Sequence, residues 1–248
     1  MSNSTLRFSD RAEDYNKYRP SYPKELISIL KSELNLDFSG VIADIGSGTG
    51  ISSIPFLENT NTVYGIEPNK EMRHAAEELL KKFPNFISID GTAEATTLPG
   101  KSVDMIFCGQ SFHWFDKIKS KKEFDRILKE NGHIVFVWNC RNTNDDFQKE
   151  YENALLTNIE EYKFVNHRNI SAIDIQDFFK PKEMRVIKIG NKQTFDLEGL
   201  KGRLKSSSYC PKSGETYDKL MAEMGIIFDK YNSNNRIAFE YETQIYCC

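Results

Sequence analysis

The chain has 248 residues, 39% hydrophobic and 28% charged, with a formal net charge of -3. That length suits one large α/β domain with a cap and hardly two independent ones. A weakly acidic chain offers no global basic field for nucleic acid, and no run approaches the roughly 20 apolar residues of a membrane span.

Met1-Ser-Asn-Ser-Thr lacks the charged-then-apolar order of a signal peptide. The segment Ala12 to Pro23 holds Tyr15, Tyr18, Arg19, Pro20, Tyr22 and Pro23, a poor helix and a poor strand. Lys24–Leu34 follows with a helical stripe of Leu26, Ile27, Leu30 and Leu34. Next comes Val41-Ile-Ala-Asp-Ile-Gly-Ser-Gly-Thr-Gly50, a short apolar strand over 41–45 running into three glycines, Gly46, Gly48 and Gly50. A strand that turns sharply through glycines into a helix, here over 50–58, lets backbone approach a ligand and aims free N–H groups at it. Asp44 stands inside that apolar strand; a carboxylate there is costly unless hydrogen-bonded, so it is expected to face the turn.

Thr62–Ile66 reads as the second strand and ends in Glu67-Pro68-Asn69. An acid at that strand tip is placed to accept from both hydroxyls of a ribose. Asn69 caps a helix running to Lys82, with Met72, Ala75, Ala76, Leu79 and Leu80 facing inward. Phe86–Ile89 is a third strand, followed by the loop Asp90-Gly-Thr92-Ala93-Glu94 and Leu98-Pro99-Gly100. Val103–Cys108 is a continuous apolar run, as in a strand covered on both faces of a parallel sheet. It leads into Gly109-Gln110-Ser-Phe-His113-Trp114-Phe115. The basic residues Lys117, Lys119, Lys121 and Lys122 read as a solvated helix face. That helix is expected over Lys119–Lys129 with Asn131-Gly132 as its C-terminal cap. His133–Trp138 is a fifth strand. Alternation of this kind predicts a doubly wound parallel sheet.

Beyond Asn139 the alternation stops. Helices are expected over Asp146–Glu161, Leu197–Lys205 and Thr216–Tyr231. A strand fits Met184–Ile189 and an edge-like strand Ile237–Tyr246, while 162–181 reads as irregular. The five cysteines, Cys108, Cys140, Cys210, Cys247 and Cys248, show neither C-x-x-C spacing nor a His partner at zinc-site distance. That pattern suits reduced thiols in a cytoplasmic protein and gives metal catalysis no support.

The glycine spacing, with Asp44 before it and Glu67 after the next strand, resembles the cofactor site of the class I S-adenosylmethionine-dependent methyltransferases. The resemblance implies a seven-stranded, mostly parallel sheet with an antiparallel C-terminal strand and a helical lid insertion. It also implies S-adenosyl-L-methionine as cofactor. In that family the loop Gly46, Ser47, Gly48 and Gly50 holds the amino-acid end of the cofactor, and Glu67 with Pro68 holds its ribose. Thr92 and the backbone of Ala93 meet the adenine, although Asp is frequent in the family where Thr92 stands here. Gln110 lies closest to the cofactor. His113 is either a general base, its reference pKa being near neutrality, or a loop histidine.

The Tyr15-x-x-Tyr18-Arg19-Pro-x-Tyr22-Pro pattern resembles the branch that includes trans-aconitate methyltransferases. There the segment folds over the cofactor, with Tyr18 and Arg19 close to its methionine carboxylate, an interaction a bidentate guanidinium suits. Tyr15, Tyr22, Trp114 and Trp138 are the candidate acceptor pocket. Arg141, Arg168, Arg203 and Lys205 are either acid-binding groups or surface charges. The expected partner is a small-molecule acceptor, with no nucleic acid and no membrane, on a monomer or weak homodimer.

Methyl transfer asks the protein to align nucleophile and methyl, exclude water and sometimes remove a proton. A carboxylate acceptor needs no base; a hydroxyl or amine does. Two alternatives remain open on sequence alone: a non-catalytic S-adenosylmethionine-binding protein and a nicotinamide-dependent oxidoreductase. The latter fits less well, since its fingerprint places the third glycine one residue later. The expected partition is one domain: 1–35 an N-terminal cap and first helix, 36–139 the cofactor-binding core, 140–235 a lid with one core strand, and 236–248 the final strand.

Overall fold

The computed structural model of the chain describes residues 16–37, 39–163 and 171–248. Helix α1 (Glu25–Leu34) buries Leu26, Leu30 and Leu34 and ends at Asn35, whose φ of 52° closes the last turn. The strands β1 (Val41–Ile45) and β2 (Thr62–Ile66) flank a short helix α2 (Ile54–Glu58), which a turn over 51–53 and Pro55 near its start make shorter than expected. Helix α3 (Lys70–Leu80) is capped as its sequence predicts, with the Asn69 side chain accepting from the Met72 N–H at 2.9 Å. β3 (Phe86–Ile89) and β4 (Val103–Gly109) complete the first half.

β1, β2, β3 and β4 pair in parallel, and the sheet order is β3-β2-β1-β4-β5-β7-β6. The chain winds outward from β1 to β3 and then returns to β4 on the other side of β1, so the strand order reverses between β1 and β4. In an open α/β sheet that reversal opens a crevice beyond the carboxyl ends of the strands. Alternate β1 and β4 residues serve two cores. Ile42, Met105 and Phe107 pack with α1 and Phe56. Ala43, Ile45, Ile106 and Cys108 face Phe124, Ile127, Phe178 and Phe179.

The next two elements differ from the sequence reading. Helix α4 spans Lys117–Ile127 and starts at Asp116, whose carboxylate accepts from the Ile118 and Lys119 N–H groups at 3.1 Å. Strand β5 then runs from Leu128 to Arg141 and absorbs Asn131-Gly132. Between the pairs Val103–Leu128 and Met105–His133, β4 advances two residues and β5 five, so Asn131-Gly132 sits in a bulge rather than a helix cap. Strand pairing that resumes at Leu128 leaves no room for a longer helix.

After helix α5 (Asp146–Asn158) and a 3₁₀ turn (Glu160–Lys163), the stretch read as irregular contains helix α6 (Ala172–Phe179). A reciprocal capping box between Ser171 and Asp174 starts it, and Ile175, Phe178 and Phe179 bury against the sheet. The strand expected to end at Ile189 continues as β6 (Arg185–Phe195). Helices α7 (Leu197–Lys205) and α8 (Glu215–Tyr231) precede β7 (Ile237–Cys247), which is antiparallel to both β5 and β6. β7 is therefore interior and β6 is the edge, where Arg185, Lys188 and Lys192 make the exposed rim unattractive to another strand. A third apolar cluster joins α5, α7 and α8 to Phe195, Ile237 and Phe239 at the far end of these two strands. Among the described residues no helix is long and apolar enough to cross a membrane.

Candidate functional site

The β1 carboxyl end is built around a buried acid. Asp44 is fully buried, and its Oδ2 accepts from the Ser52 and Ser53 hydroxyls at 2.6 and 2.7 Å. Among the described residues its Oδ1, equally buried, has no hydrogen-bond partner. Burial drives its pKa up to about 6, opposed by the two serine hydroxyls and aided by the negative charge of Glu67.

The turn that follows needs glycine for stated reasons. Gly46 has φ of 70°, and a Cβ there would stand 2.7 Å from the Ser111 Cβ. Gly50 has φ of 83°, and a Cβ would meet Leu80 at 2.6 Å. Several N–H groups of this turn, which the sequence suggests as free donors, already have partners within the protein. Gly46 and Ser47 donate to the Ile66 carbonyl at 2.8 and 3.2 Å, and Gly48 donates to Glu67 Oε2 at 3.0 Å. The β2 end thus takes them to lock the loop.

Glu67 is half-buried, and its Oε1 accepts from the Asn69 N–H at 2.9 Å. Burial raises its pKa even against these two backbone bonds. Each carboxylate oxygen retains a second lone pair for a donor above the crevice. Pro68 is exposed beside it. Arg73 fixes the strand end, donating to the Glu67 carbonyl at 2.8 Å and to Asp90 at 3.0 Å.

Loop 91–99 is held from below. Thr92 and Ala95 exchange backbone bonds of 3.1 and 3.2 Å, and the Thr92 hydroxyl accepts from the Glu94 N–H, which leaves Ala93 at the apex with its methyl buried. Glu123 grips Thr96 through its N–H at 2.8 Å and its hydroxyl at 2.5 Å. The Arg126 guanidinium, with Thr96, holds the Glu123 carboxyl down at about 2.

Gln110 has φ of 61°, strained for a side-chain-bearing residue, and donates its N–H to the Val137 carbonyl at 2.9 Å. Ser111 ties the β4 end to β1, its hydroxyl donating to the Ile45 carbonyl at 2.6 Å. Phe112 anchors the 3₁₀ turn carrying His113 by stacking on Phe136 at 4.3 Å. Burial pulls the His113 pKa down to about 4. Trp114 is 43% exposed, its ring 4.6 Å from that of His113.

Trp138, expected as a pocket wall, is buried between Phe112 and Tyr246, with its Nε1 hydrogen among the buried groups lacking a partner in the described residues.

Residues 18–23 form a strap across the carboxyl ends of β4, β5 and β6. The Tyr22 ring meets Phe107 edge-on at 5.8 Å, and its hydroxyl lies directly over Gly109, where any Cβ would collide with it. The Ser21 carbonyl accepts from Asn191 at 2.8 Å and from Asn139 at 3.4 Å. Tyr18 packs on Gly202 of α7, and Arg19 Nη2 donates to the Ser206 carbonyl at the end of that helix at 2.9 Å. These contacts lie on the lid helix. Tyr15 and Arg168 lie outside the described residues. A groove of about 490 Å³ runs beside the strap, lined by Tyr22, Pro23, Lys24, Asn191 and Lys192, away from the glycine turn.

Sequence reasoning missed Ser52, Ser53, Ser111 and Arg73. The first two carry a readable signal: hydroxyls just past a glycine turn can reach back to an acid in the preceding strand.

Residues 43–136 match the family model of a methyltransferase domain. An uncharacterised methyltransferase of Schizosaccharomyces pombe is 33% identical over 135 residues, 54% of this chain and 53% of that protein. The chain spans about half the length of the curated relatives it matches first. An uncharacterised methyltransferase of a Geobacillus species is 30% identical over 59% of this chain and 72% of its own length. Among solved structures, a proposed type II methyltransferase from Anaeromyxobacter dehalogenans has the same fold, with a TM-score of 0.66 over 93% of this chain and 97% of that one at 16% identity.

Proposed function

We infer the reaction from one premise: the chain belongs to the class I S-adenosylmethionine-dependent methyltransferase family. The residues at the β1 and β2 ends fit that family's cofactor. Asp44 Oδ1 is a buried acceptor awaiting a donor, and Glu67 keeps lone pairs on both oxygens for the two ribose hydroxyls. Ser47, Gly48, Pro68, Thr92, Ala93 and Gln110 are proposed to line the same crevice. Bound S-adenosyl-L-methionine supplies a methyl group on a positively charged sulfur, open to in-line displacement.

The acceptor is a small molecule, and its nucleophile is a carboxylate oxygen. The observation carrying this choice is the state of His113. With its pKa near 4, the imidazole is neutral at pH 7 but too weakly basic to take a proton from a hydroxyl or an ammonium. A carboxylate oxygen forms its new bond with its own lone pair, so no proton has to leave. What the chain contributes is alignment and exclusion of water: Gln110 and the 3₁₀ turn over 112–114 fix the floor, and the strap over 18–23 with α7 covers the opening.

The test is calorimetric titration with S-adenosylhomocysteine and, separately, with NAD. Binding of the first alone supports the reading; binding of NAD alone overturns it. Screening carboxylic acids against matched alcohols and amines, with methyl transfer followed by mass, then tests the nucleophile. Turnover of amines or alcohols in preference to acids would sink the carboxylate assignment.

A further inference from the structure

Asp44 sits where β1 gives way to the glycine turn, paired in register with Gly65 on β2 and Phe107 on β4. Its carboxylate is fully buried and divided in its bonding. Oδ2 accepts from the Ser52 and Ser53 hydroxyls, while Oδ1 has no partner among the described residues. The charged and titratable groups that act on it come from three elements. Glu67, at the β2 end, adds a second negative charge, and its two oxygens accept from the Gly48 and Asn69 N–H groups. Arg73 of α3, the cation of this neighbourhood, donates to the Glu67 carbonyl and to Asp90. Cys108 of β4 is a thiol that burial and the charge of Asp44 itself keep protonated.

A buried carboxylate bonded only to neutral hydroxyls is least costly with a proton on it. That proton belongs on Oδ1, because two hydroxyls already donate to Oδ2. Burial, with the charge of Glu67, accordingly sets the Asp44 pKa at about 6. A protonated Oδ1 is a donor and turns other donors away; an ionised Oδ1 accepts one. A ligand group that brings a hydrogen bond and a positive charge to Oδ1 therefore replaces the proton. The O–H bond breaks, its electron pair stays on the carboxylate, and the proton passes to solvent. The sign follows from this exchange. Below about pH 6 the proton competes and affinity is lost as pH falls; well above it affinity is level.

We propose that a proton and the ammonium group of the bound cofactor compete for Asp44 Oδ1, so that cofactor binding expels the proton and weakens in acid. The glycine turn is then a pH gate on cofactor loading, built from Asp44 and its two serines without any group that touches the methyl acceptor. The proposal rests on the methyl-transfer reading for the identity of the ligand, but not for the proton held by Asp44.

The experiment is calorimetric titration of the full chain with S-adenosylhomocysteine at three pH values, about 5, 6 and 7.5, on either side of the Asp44 midpoint. Each titration is run in two buffers of different ionisation enthalpy, which counts the protons released. The ligand's own ammonium and carboxylate keep their charges across this range. About nine-tenths of a proton is expected to leave at the lowest pH, about half at the middle one and almost none at the highest. Affinity is expected to be about tenfold weaker at the lowest pH than at the highest. Asp44→Asn, which cannot ionise, is expected to release no proton and to hold its weaker affinity within about twofold across the range. Should that variant bind too weakly to measure, Ser52→Ala tests the same group. It removes a hydroxyl that favours the ionised form, so the midpoint of the pH profile should rise by about half a unit or more. In the unliganded protein the Asp44 carboxyl carbon, followed by NMR, should titrate near pH 6. Affinity that does not change with pH, proton release that persists in Asp44→Asn, a midpoint that Ser52→Ala leaves in place, or a carboxyl that titrates at the ordinary 3.8 would each overturn the proposal. Failure to bind S-adenosylhomocysteine at every pH would instead strike the cofactor reading, because the NMR titration still reports on Asp44.

Discussion

Replacing Asp44 by asparagine should separate what this carboxylate does for the site from what it does to the fold. In the folded chain its pKa stands at about 6 against 3.8 for the unperturbed group. At 1.36 kcal/mol per unit, that rise means ionised Asp44 costs the folded state about 3 kcal/mol at neutral pH. The direction follows from proton binding. Between the unfolded and folded pKa values the folded chain holds more protons than the unfolded one, so stability falls as pH rises from about 4 to above 6. Roughly half of the effect, on the order of 1 kcal/mol, falls between pH 5 and pH 7.5. Asp44→Asn has no charge to lose, so its stability relative to wild type should climb by that amount over the same interval.

Urea unfolding of both proteins at the two pH values measures the difference of differences. Groups such as His113 and Glu123, whose own shifts shape the absolute curves, cancel because both proteins contain them. The asparagine oxygen can still accept from Ser52 and Ser53, so the turn should survive. Its amide, pointing where Oδ1 now lacks a partner, should offer a donor to a donor. We expect S-adenosylhomocysteine affinity to drop at least about tenfold in a protein that is no less stable at pH 7.5. If the stability gap between the two proteins does not change with pH, the buried-carboxylate argument fails. If the variant binds the ligand as the wild type does, Asp44 is not part of the cofactor site.

Three further outcomes are expected. Glu67→Gln keeps one acceptor oxygen where the Gly48 and Asn69 N–H groups now have two; calorimetry should show S-adenosylhomocysteine weakened about tenfold or more, and unchanged affinity would remove Glu67 from the site. Gly46→Ala must place a Cβ 2.7 Å from the Ser111 Cβ at a φ of 70°. A cost of about 2 kcal/mol should lower Tm by about 4–8 °C. Gly190→Ala, with nothing within 4 Å of its added Cβ, should leave Tm almost unmoved. An equal drop in both would deny the glycine turn its special geometry. The His113 imidazole, followed by NMR, should titrate near pH 4, as its burial dictates. A midpoint at 6.5 would restore it as a candidate base and reopen hydroxyl and amine acceptors.

The first half of this chain was legible because each element announces itself locally. The β1 and β2 limits and the Asn69 cap are read from an apolar run, a turn residue and a hydroxyl or amide at the right offset, and the sheet confirms them residue for residue. Asn131-Gly132 misled because the same dipeptide serves a helix cap and a strand bulge, and only the pairing of Leu128 with Val103 distinguishes them. Helix α6 was missed although Ser171 and Asp174 spell a capping box, because the aromatic residues around it masked the period of Ile175, Phe178 and Phe179. Within the site, Asp44 and Glu67 were legible from position alone. That the Gly46 and Gly48 N–H groups are spent on Ile66 and Glu67 was not, since it depends on how closely β1 and β2 end together. Nor was the placement of Tyr18 and Arg19, whose partners on α7 lie more than 180 residues along the chain.

On the β1–β2 side of the crevice, Asp44 and Glu67 are acids whose pKa values are raised by burial, so each gains from a cationic or hydrogen-donating neighbour. A ligand that brings such groups to both offsets the cost of burying two acids side by side.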